Sequence, residues 1–461
     1  MTYPLFKLTS LRRHFGLPLV CVICAIAWTL FPQTVARSHE GDDHEHAVAK
    51  VTDGTAHRPT AIPDRIILSL TTQPATSQAV SWRTDDTVAR GLAEIAEATA
   101  GPEFASQARQ LTATVTPLAS DLQYVAHYHA VEFTDLKPAT KYAYRVGDGT
   151  NWSEWIQFQT ASDEPGPFTF VYFGDAQNDI KSHWSRVVRE AYRDAPKAAF
   201  LLHAGDLVNG ANNDAEWGEW CYAGGFIHSM TPCVATPGNH EYNEGLSRYW
   251  RPTFALPKNG PDGLEETVYW LDYQCARIIS LNSNERQQEQ VAWLEGVLRD
   301  NGKPWTIITF HHPLFSSAEG RDNPELRAAW QPVFDRHKVD IVLQGHDHTY
   351  ARTQLLTFQN VPTGVAHRSP NSGTMYVVSV SGPKMYKVDR RRFMRRAAQN
   401  TQLYQIITVD NSKLRYEART ANGELYDAFV LRKRPGEGNK LIEKVPPTTE
   451  RLPAEDDADA K

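Results

Sequence analysis

The pattern of apolar and polar positions divides the chain into an all-β part and a part in which strands alternate with helices. From Ile62 to Thr160, short runs of alternating apolar and polar residues are separated by turn residues. This spacing predicts a β-sandwich of about 100 residues. After a hinge rich in Pro, Gly and acidic residues at 162–167, apolar strands alternate with segments of helical period. This second pattern ends in consecutive β runs and predicts a layered α/β domain.

The predicted elements of the second part follow one another closely along the chain. Helices are predicted at 182–193, 216–228, 288–299 and 326–337, where apolar residues recur at helical spacing. Strands are predicted at 168–173, 199–202, 233–236, 305–310, 340–343, 375–381, 403–409, 414–419 and 426–431. The first five of these strands are each followed by a loop that carries polar residues.

These polar residues form five blocks, and each block comes directly after an apolar strand. The blocks are Gly174-Asp175, Gly205-Asp206, Gly238-Asn239-His240-Glu241, His311-His312-Pro313 and Gly345-His346-Asp347-His348. Loops outside the carboxyl ends of strands in an α/β sheet converge on one crevice. Asp, Asn and His together suit divalent or trivalent cations, and one bridging carboxylate can serve two of them. Taken singly, each block could be a turn or a packed histidine, but five in order favour one metal site. His203 and His312 are interpreted as packing residues or as supports of neighbouring ligands.

With these five blocks, the sequence resembles the calcineurin-like metallophosphoesterases, and most closely the purple acid phosphatases that have an N-terminal fibronectin-like domain. The resemblance runs from about Pro63 to Val430. The segment 136–142 resembles the tyrosine corner of fibronectin type III domains, and Trp82 lies where such domains have a core tryptophan. The resemblance implies a four-layer α/β fold, a β-sandwich flanked by helices, preceded by an all-β fibronectin type III-like domain.

The resemblance also implies a role for most residues of the five blocks. Two metal ions are expected, with Fe, Zn or Mn as the candidates, and His240 is the expected catalytic histidine that faces the substrate together with Asn239. The implied metal ligands are Asp175 and His348 for the first ion, Asp206 as the bridge, and Asn239, His311 and His346 for the second.

The sequence departs from the family pattern at the first metal. Purple acid phosphatases have a tyrosine three residues after the bridging aspartate, but here that position is Asn209. Other metallophosphoesterases have a histidine two residues after the first aspartate, and here that position is Gln177. Asn209, Gln177 or water could complete the first metal. The missing phenolate argues against ferric iron and against the purple colour it gives.

The function implied is that of an exported, metal-dependent and acid phosphatase-like hydrolase. It would cleave small-molecule phosphate esters by attack of metal-bound hydroxide at phosphorus, with His240 stabilising phosphate charge or protonating the leaving alkoxide. Two alternatives remain within this interpretation: a phosphodiesterase rather than a monoesterase, and a catalytically weak cell-surface binding protein. A purely structural metal would need closed coordination, which a first metal short of one ligand does not favour.

Composition and charge narrow the choice of partners. A hydrophobic content of 41% excludes wholesale disorder, and a net charge of −6 makes nucleic-acid binding by bulk charge unexpected. A basic run at 384–396 is either solvated surface or a surface that recruits a polyanionic substrate. The oligomeric state is left open.

The N-terminus predicts an export signal. A basic start precedes an apolar run from Leu17 to Phe31, and small residues precede a cut after Ala36. The pair Arg12-Arg13 leaves both general secretion and twin-arginine export open. The apolar run is too short for a confident membrane span, so the mature protein is expected to be periplasmic or secreted, without a membrane anchor.

The predicted organisation has five segments. They are a signal peptide at 1–36, a His- and acid-rich linker at 37–60, the fibronectin type III-like domain at 61–161, the metallophosphoesterase domain at 167–433 and a disordered tail at 434–461. The linker is interpreted either as a solvated acidic tether or as a site that captures a transition metal. Three cysteines follow the export signal, and of these Cys221 and Cys233 either form a disulfide or are buried thiols, while Cys275 is expected in the core.

Overall fold

The structure is a computed structural model that describes residues 50–357, 367–368, 373–434 and 436–453. The described residues from Val51 onward form one compact unit. The predicted export signal and the linker histidines His39, His44 and His46 lie outside the described residues. Among the helices that are described, none has the length and apolar character needed to cross a lipid bilayer.

The N-terminal part is all-β, as the alternating pattern predicts. Its short helix and its strands are α1 (Asp53–Ala56), β1 (Asp64–Ser69), β2 (Gln78–Asp85), β3 (Leu92–Glu97), β4 (Arg109–Thr112), β5 (Thr114–Ala119), β6 (Val125–Phe133), β7 (Lys141–Gly147) and β8 (Ile156–Gln159). Trp82 and Tyr144 are fully buried in its core. The hydroxyl of Tyr142 accepts a hydrogen bond from the backbone N–H of Lys137 at 2.8 Å, which ties the turn before β7 to the strand.

The second part alternates strands and helices and then ends in antiparallel β-structure. Its elements are β9 (Phe168–Phe173), α2 (Ser185–Asp194), β10 (Leu201–His203), α3 (Asp214–Gly224), α4 (Phe226–Met230), β11 (Cys233–Ala235), α5 (Trp250–Thr253), β12 (Tyr269–Tyr273), β13 (Ala276–Ser280), α6 (Glu289–Arg299), β14 (Trp305–Thr309), α7 (Pro324–His337), β15 (Ile341–Gln344), β16 (Tyr350–Thr357), β17 (His367–Arg368), β18 (Thr374–Val378), β19 (Met394–Ala398), β20 (Leu403–Val409), β21 (Lys413–Thr420), β22 (Leu425–Arg432) and β23 (Lys440–Glu443).

The helix predicted at 216–228 is two helices in the structure. Asn213 caps the first of them, α3, because its side-chain oxygen accepts hydrogen bonds from the N–H groups of Ala215 and Glu216. The chain turns at Gly225, whose φ of +48° is a conformation that favours glycine. The prediction of one continuous helix was therefore wrong at this glycine, and α4 leaves in a new direction.

Two large sheets pack face to face and carry helices on their outer faces. An 11-stranded sheet has the order β23-β22-β21-β20-β9-β10-β11-β1-β2-β6-β5, and an eight-stranded sheet is built on β12-β13-β14-β15-β18-β16. A single apolar core holds residues of both sheets, and a second core joins the eight-stranded sheet to α6 and α7. With α2 and α3 on the other side, this is the four-layer arrangement that was expected, and a four-stranded sheet (β4-β3-β7-β8) completes the N-terminal sandwich.

The two parts of the chain share the 11-stranded sheet. Strand β1 of the N-terminal part pairs in parallel with β11 of the second part, with Ser69 opposite Cys233. The backbone N–H of Leu70 donates to the carbonyl of Cys233 at 3.2 Å. The N-terminal strands therefore continue a sheet that begins in the α/β part.

The linker prediction was wrong at its C-terminal end. Residues 53–56 form α1, and the carbonyl of His57 accepts hydrogen bonds from Arg83 at 3.0 Å and from Tyr124 at 2.8 Å. These two long-range bonds fix the end of the segment to the sandwich. A polar composition predicts flexibility only where the polar groups have no hydrogen-bond partners in the fold. Here the His57 carbonyl has two such partners.

The prediction of a disordered tail at 434–461 was wrong for residues 436–453, and residues 454–461 lie outside the described residues. Strand β23 lies inside this segment and pairs with β22. Glu443 on β23 forms an ion pair at 2.9 Å with Arg352, whose guanidinium is fully buried against Asp427. Two of the acidic residues that gave the tail its disordered signature, Glu443 and Glu450, are partners of arginines elsewhere in the fold.

The basic run at 384–396 supplies several of these arginines. Arg390 pairs with Glu450 at 3.4 Å, and Arg395 pairs with Glu443 at 3.2 Å. Arg396 donates to the carbonyl of Tyr426 at 3.1 Å. A large part of the positive charge in this run therefore holds the C-terminal segment against the fold.

Candidate metal centre

The five polar blocks meet at the carboxyl ends of strands from both large sheets. Strands β9, β10 and β11 lie side by side and parallel in one sheet, and β14 and β15 are parallel neighbours in the other. The loop after each of these strands begins at the same edge of its sheet, so the blocks converge. Two groups of buried side chains result, and Asp206 belongs to both.

The first group consists of Asp175, Asp206 and His348, whose candidate ligand atoms all lie within 4.8 Å of one another. Nδ1 of His348 lies 3.0 Å from the carbonyl oxygen of Lys384. Because a carbonyl oxygen only accepts, Nδ1 carries the proton, and Nε2 keeps the lone pair that a metal needs. Nε2 lies 3.5 Å from Oδ2 of Asp175, and that oxygen has no hydrogen-bond partner in the described part of the chain.

The second group consists of Asp206, His311 and His346. Nδ1 of His311 donates to the carbonyl of Ala204 at 2.9 Å, which leaves Nε2 as the metal-binding nitrogen. This Nε2 lies 3.2 Å from Oδ2 of Asp206 and 3.1 Å from Oδ1 of Asn239. Nδ1 of His346 lies 2.9 Å from the same Asn239 oxygen. One carboxylate oxygen, one amide oxygen and two imidazole nitrogens therefore surround one point.

Two glycines allow the ligand carboxylates to approach the backbone. A Cβ atom at Gly238 would lie 2.2 Å from Oδ1 of Asp206, and one at Gly345 would lie 2.3 Å from Oδ1 of Asp175. Both distances are far below van der Waals contact, so a larger residue at either position would displace a ligand. The glycines at the start of the third and fifth blocks are thus explained by the space that a carboxylate of another block occupies.

The carboxylates of Asp175 and Asp206 are buried, so positive charge must lie beside them to offset the cost of their burial. Burial raises the pKa of Asp175 to about 8. Although burial opposes it, the charge of Asp206 raises the pKa of His311 to about 9, and His311 in turn holds the pKa of Asp206 below its usual range. Burial lowers the pKa of His348 to about 4, which keeps this ring neutral and able to bind a metal. The raised pKa values of Asp175 and His311 mean that bound protons offset the buried negative charge of the centre. Two cations would offset the same charge, so the donor set fits two metal ions.

Gln177 and Asn209, the two candidates for the incomplete first metal, lie in different surroundings. Nε2 of Gln177 lies 3.1 Å from Oδ2 of Asp206 and 2.9 Å from Nε2 of His348, and its Oε1 is buried without a hydrogen-bond partner in the described chain. The side chain of Asn209 instead accepts a hydrogen bond from Asn178 at 3.1 Å. The structure therefore brings Gln177, and not the side chain of Asn209, into contact with the first group.

His240 lies at the rim of the same centre and is partly exposed. Its backbone N–H donates to Oδ1 of Asp206 at 2.9 Å, and its Nδ1 donates to the carbonyl of Asn209 at 2.6 Å. The Nδ1 contact leaves Nε2 as the nitrogen available to a ligand. His312 lies beside the second group, and its Nδ1 lies 2.9 Å from the hydroxyl oxygen of Ser283.

Glu241 holds two of the ligand loops together, a role that the sequence did not reveal. Its carboxylate is fully buried and accepts hydrogen bonds from the backbone N–H groups of Asp206, Leu207, Val208 and Gly238 at 2.7–3.3 Å. Burial and the neighbouring Asp206 raise the pKa of Glu241 to about 7. The position of Glu241 at the end of the third block was visible, but its partners lie in another loop.

Two residues near the first group also escaped the sequence analysis. Arg321 donates to the carbonyl of His346 at 3.1 Å, and its guanidinium carbon lies 4.6 Å from the ring centre of Tyr386. The ring of Tyr386 in turn lies 4.7 Å from that of His348. Both residues come from loops without a strand or helix pattern, so only the folded chain brings them to the centre.

Comparison with known families agrees with this arrangement. The family model described as purple acid phosphatase, N-terminal domain, matches residues 63–160, and that described as calcineurin-like phosphoesterase matches residues 168–350. Together the two models cover more than half of the chain. Residues 168–350 are thus a calcineurin-like phosphoesterase domain, a class of metal-dependent phosphoesterases. With the match at 63–160, the chain is similar in organisation to the purple acid phosphatases.

Individual relatives are distant in sequence. Acid phosphatase type 7 of Danio rerio is 29% identical over 273 residues, which span 50% of this chain and 58% of that protein. Fe(3+)-Zn(2+) purple acid phosphatase 12 of Arabidopsis thaliana is 27% identical over 56% of this chain and 60% of that protein. The alignments thus span less than two thirds of each relative. The structure of the purple acid phosphatase PPD1 from yellow lupin (Lupinus luteus) seeds matches with a TM-score of 0.66 at 21% identity, covers 80% of this chain and 74% of that one, and shows a shared fold.

Proposed function

We propose that the protein is an exported phosphoesterase that hydrolyses small-molecule phosphate esters at a centre for two metal ions. The observation that carries the proposal is the pair of buried His–carboxylate groups that share Asp206. A shared carboxylate is what a two-metal centre needs to hold both ions close together. The names of the relatives, an acid phosphatase and an Fe(3+)-Zn(2+) purple acid phosphatase, support the same reaction class.

The ligand assignment follows from the two groups. Asp175, Gln177 and His348 would hold the first ion, Asn239, His311 and His346 the second, and Asp206 both. Bound cations of the Fe, Zn or Mn type would neutralise the charge of a phosphate ester and lower the pKa of a coordinated water. The carbonyls of Ala204 and Lys384 hold His311 and His348 in the tautomers that present Nε2 to the centre.

Two side chains at the rim would act on the substrate. His240 is held by Asp206 and Asn209, which directs its Nε2 to the site. With both ring nitrogens protonated, this Nε2 can donate a hydrogen bond to a phosphate oxygen or pass a proton to the leaving alkoxide. Arg321 adds a permanent positive charge close to His346 and Tyr386, and it would attract the anionic substrate. Neither group requires the backbone to move.

Gln177 would give the first ion a neutral amide oxygen, whereas purple acid phosphatases complete this ion with the phenolate of a tyrosine, which is replaced here by Asn209. Turning the amide over would direct its unpartnered Oε1 toward the centre at no cost to backbone geometry, since both amide ends occupy similar space. One anionic donor fewer stabilises a trivalent ion less well, so we expect a pair of divalent ions to be preferred.

The decisive test is the variant Asp206→Ala. We expect it to lose both metal ions and nearly all hydrolysis of p-nitrophenyl phosphate and of its bis ester, whereas Asp300→Ala, at a carboxylate that is 71% exposed, should keep both. Phosphate release that persists in Asp206→Ala would refute the two-metal proposal. In the wild type, the ratio of the two substrate rates separates a monoesterase from a diesterase, and no turnover by the metal-loaded protein would favour a binding protein.

Export is proposed from the basic start and apolar run of residues 1–36. N-terminal sequencing of secreted protein should find a chain that begins near Arg37. An intact Met1 on exported protein would contradict it.

A further inference from the structure

A second cluster of metal-binding side chains lies outside the centre described above. His203 at the end of β10, His228 in α4 and Cys233 at the start of β11 are all buried. Their ring nitrogens and thiol sulfur lie within 4.8 Å of one another. The ring of His203 packs against Phe173 and Trp220, on the side of the sheet that the helices cover. None of these three residues belongs to the five polar blocks.

The histidines of this cluster have no polar partners. Neither Nδ1 nor Nε2 of His203 or His228 makes a hydrogen bond within the described chain, although each residue is only 1% exposed. Proteins satisfy more than 90% of their buried polar groups, and each buried group left unsatisfied costs about 1–3 kcal/mol. Two adjacent imidazoles in this state are therefore expensive unless a ligand occupies the space between them. The thiol of Cys233, which is fully buried and not in a disulfide, faces the same space.

The surroundings hold the two rings in place. Trp220 stacks on His228 with ring centres 4.2 Å apart, and Phe173 stacks on His203 at 5.4 Å. A Cβ atom at Gly224 would lie 2.1 Å from Cε1 of His228, so the glycine makes room for this imidazole. Aromatic walls fix the rings before any ion arrives, which lowers the entropy lost on binding.

We propose that His203, His228 and Cys233 bind a third metal ion of the borderline-to-soft class, Zn²⁺ or Cu⁺. Two imidazoles and one thiolate are a donor set that both ions accept and that Mg²⁺ or Ca²⁺ does not. Binding takes one lone pair from each neutral ring and releases the thiol proton of Cys233 to solvent, so the ion gains an anionic ligand in an apolar core.

The position of Cys233 gives the ion a structural role. Ser69 of β1 lies opposite Cys233, and the Cys233 carbonyl accepts the bond from Leu70. An ion held by β10, α4 and β11 would therefore lock the strand onto which the N-terminal sandwich pairs. A cavity of about 480 Å³ is lined by Cys221, Tyr222, Phe226 and His228, so it reaches one of the three proposed ligands.

Sulfur coordination distinguishes this site from the proposed catalytic centre, which contains no cysteine. We expect X-ray absorption at the zinc edge of the reduced full-length protein to show a sulfur neighbour at about 2.3 Å. Replacement of zinc by Co²⁺ should give a thiolate-to-cobalt charge-transfer band in the near ultraviolet. Titration of metal-free protein with Cu⁺ under anaerobic conditions tells which of the two ions binds more tightly.

Variants assign the signal to this cluster. Cys233→Ser should abolish the sulfur signal, while Cys275→Ser, at another buried free thiol, should keep it. Asp206→Ala should also keep it, so the proposal can fail or hold independently of the catalytic one. If Cys233→Ser does not fold, His228→Gln serves in its place, with an expected loss of metal affinity of 10-fold or more. Absence of a sulfur neighbour in metal-loaded wild-type protein, or its loss in Cys275→Ser, would overturn the proposal.

Discussion

Replacing Glu241 by glutamine tests whether one buried carboxylate holds the catalytic loops in place. One carboxylate oxygen accepts the N–H groups of Leu207 and Val208, and the other accepts those of Asp206 and Gly238. Glutamine has the same shape but only one accepting oxygen. Its NH₂ group would face two N–H donors, so Glu241→Gln leaves two buried donors without a partner.

The loss can be estimated from these two bonds. Hydrogen bonds to a charged group contribute about 1.5–3 kcal/mol each, so two of them amount to about 3–6 kcal/mol of unfolding free energy. The shift in melting temperature per kcal/mol falls with size, from about 2–4 °C in a domain of 150–250 residues to about 1–2 °C in a unit of about 400 residues such as this one. We therefore expect Glu241→Gln to melt about 3 °C or more below the wild type. The ligand Asp206 lies in the released loop, so metal affinity should fall as well.

The assay is thermal unfolding of metal-loaded protein at about pH 8, where the carboxylate is ionised, together with metal analysis after dialysis. The matched control is Glu289→Gln on α6, where the side chain is 59% exposed and pairs only with Arg286 on its own segment. If Glu241→Gln melted within about 2 °C of this control and kept both ions, the carboxylate would not be what holds the loops.

Three further predictions concern Gln177, Asp427 and Asn209. Gln177→Ala should lower the affinity for one of the two ions about 10-fold or more and leave the other ion bound. Isothermal titration with zinc measures both affinities, and an equal loss of both would contradict the assignment. Asp427→Ala leaves Arg352 buried and without its fully buried partner, so denaturant unfolding should report a loss of about 3–5 kcal/mol, and a loss below 1 kcal/mol would refute the reasoning. Iron-loaded wild-type protein should lack the visible band of a tyrosinate–iron pair because Asn209 replaces the tyrosine, and resonance Raman detection of tyrosinate would point to another tyrosine, with Tyr386 the first to examine.

The sequence located the candidate ligand blocks, which the structure brings together, better than it located the residues that support them. Each block places polar residues directly after an apolar strand, four of the five with a glycine in front, and that signal is local. The supports are not local: Glu241 binds a loop about 35 residues earlier in the chain, and Arg321 reaches His346 from a loop before α7. Such contacts depend on how strands pair, which a single sequence with no repeat or register signal does not specify.

The C-terminal segment predicted to be disordered also depends on contacts with distant parts of the chain. Glu443 and Glu450 make the end of the chain look solvated, yet they neutralise arginines of the 384–396 run. The sequence of the basic run or of the C-terminal segment alone does not reveal these ion pairs. The partners lie about 50 residues apart, and charged residues in either segment are typical of solvent-exposed surface. The pairing of β1 with β11 escaped for a similar reason, since a short apolar strand does not identify its neighbour.

The strand pairing between β1 and β11 changes what the hinge at 162–167 means. The hinge is a link in the covalent chain, but it is not where the fold divides, because backbone hydrogen bonds cross from one part to the other inside a single sheet. A protease that cut there would leave two fragments still paired edge to edge. Expressing the α/β part by itself would instead bare the edge of β11, and an exposed strand edge invites self-association. The boundary between the two family matches therefore runs through a continuous sheet and does not separate two independent bodies.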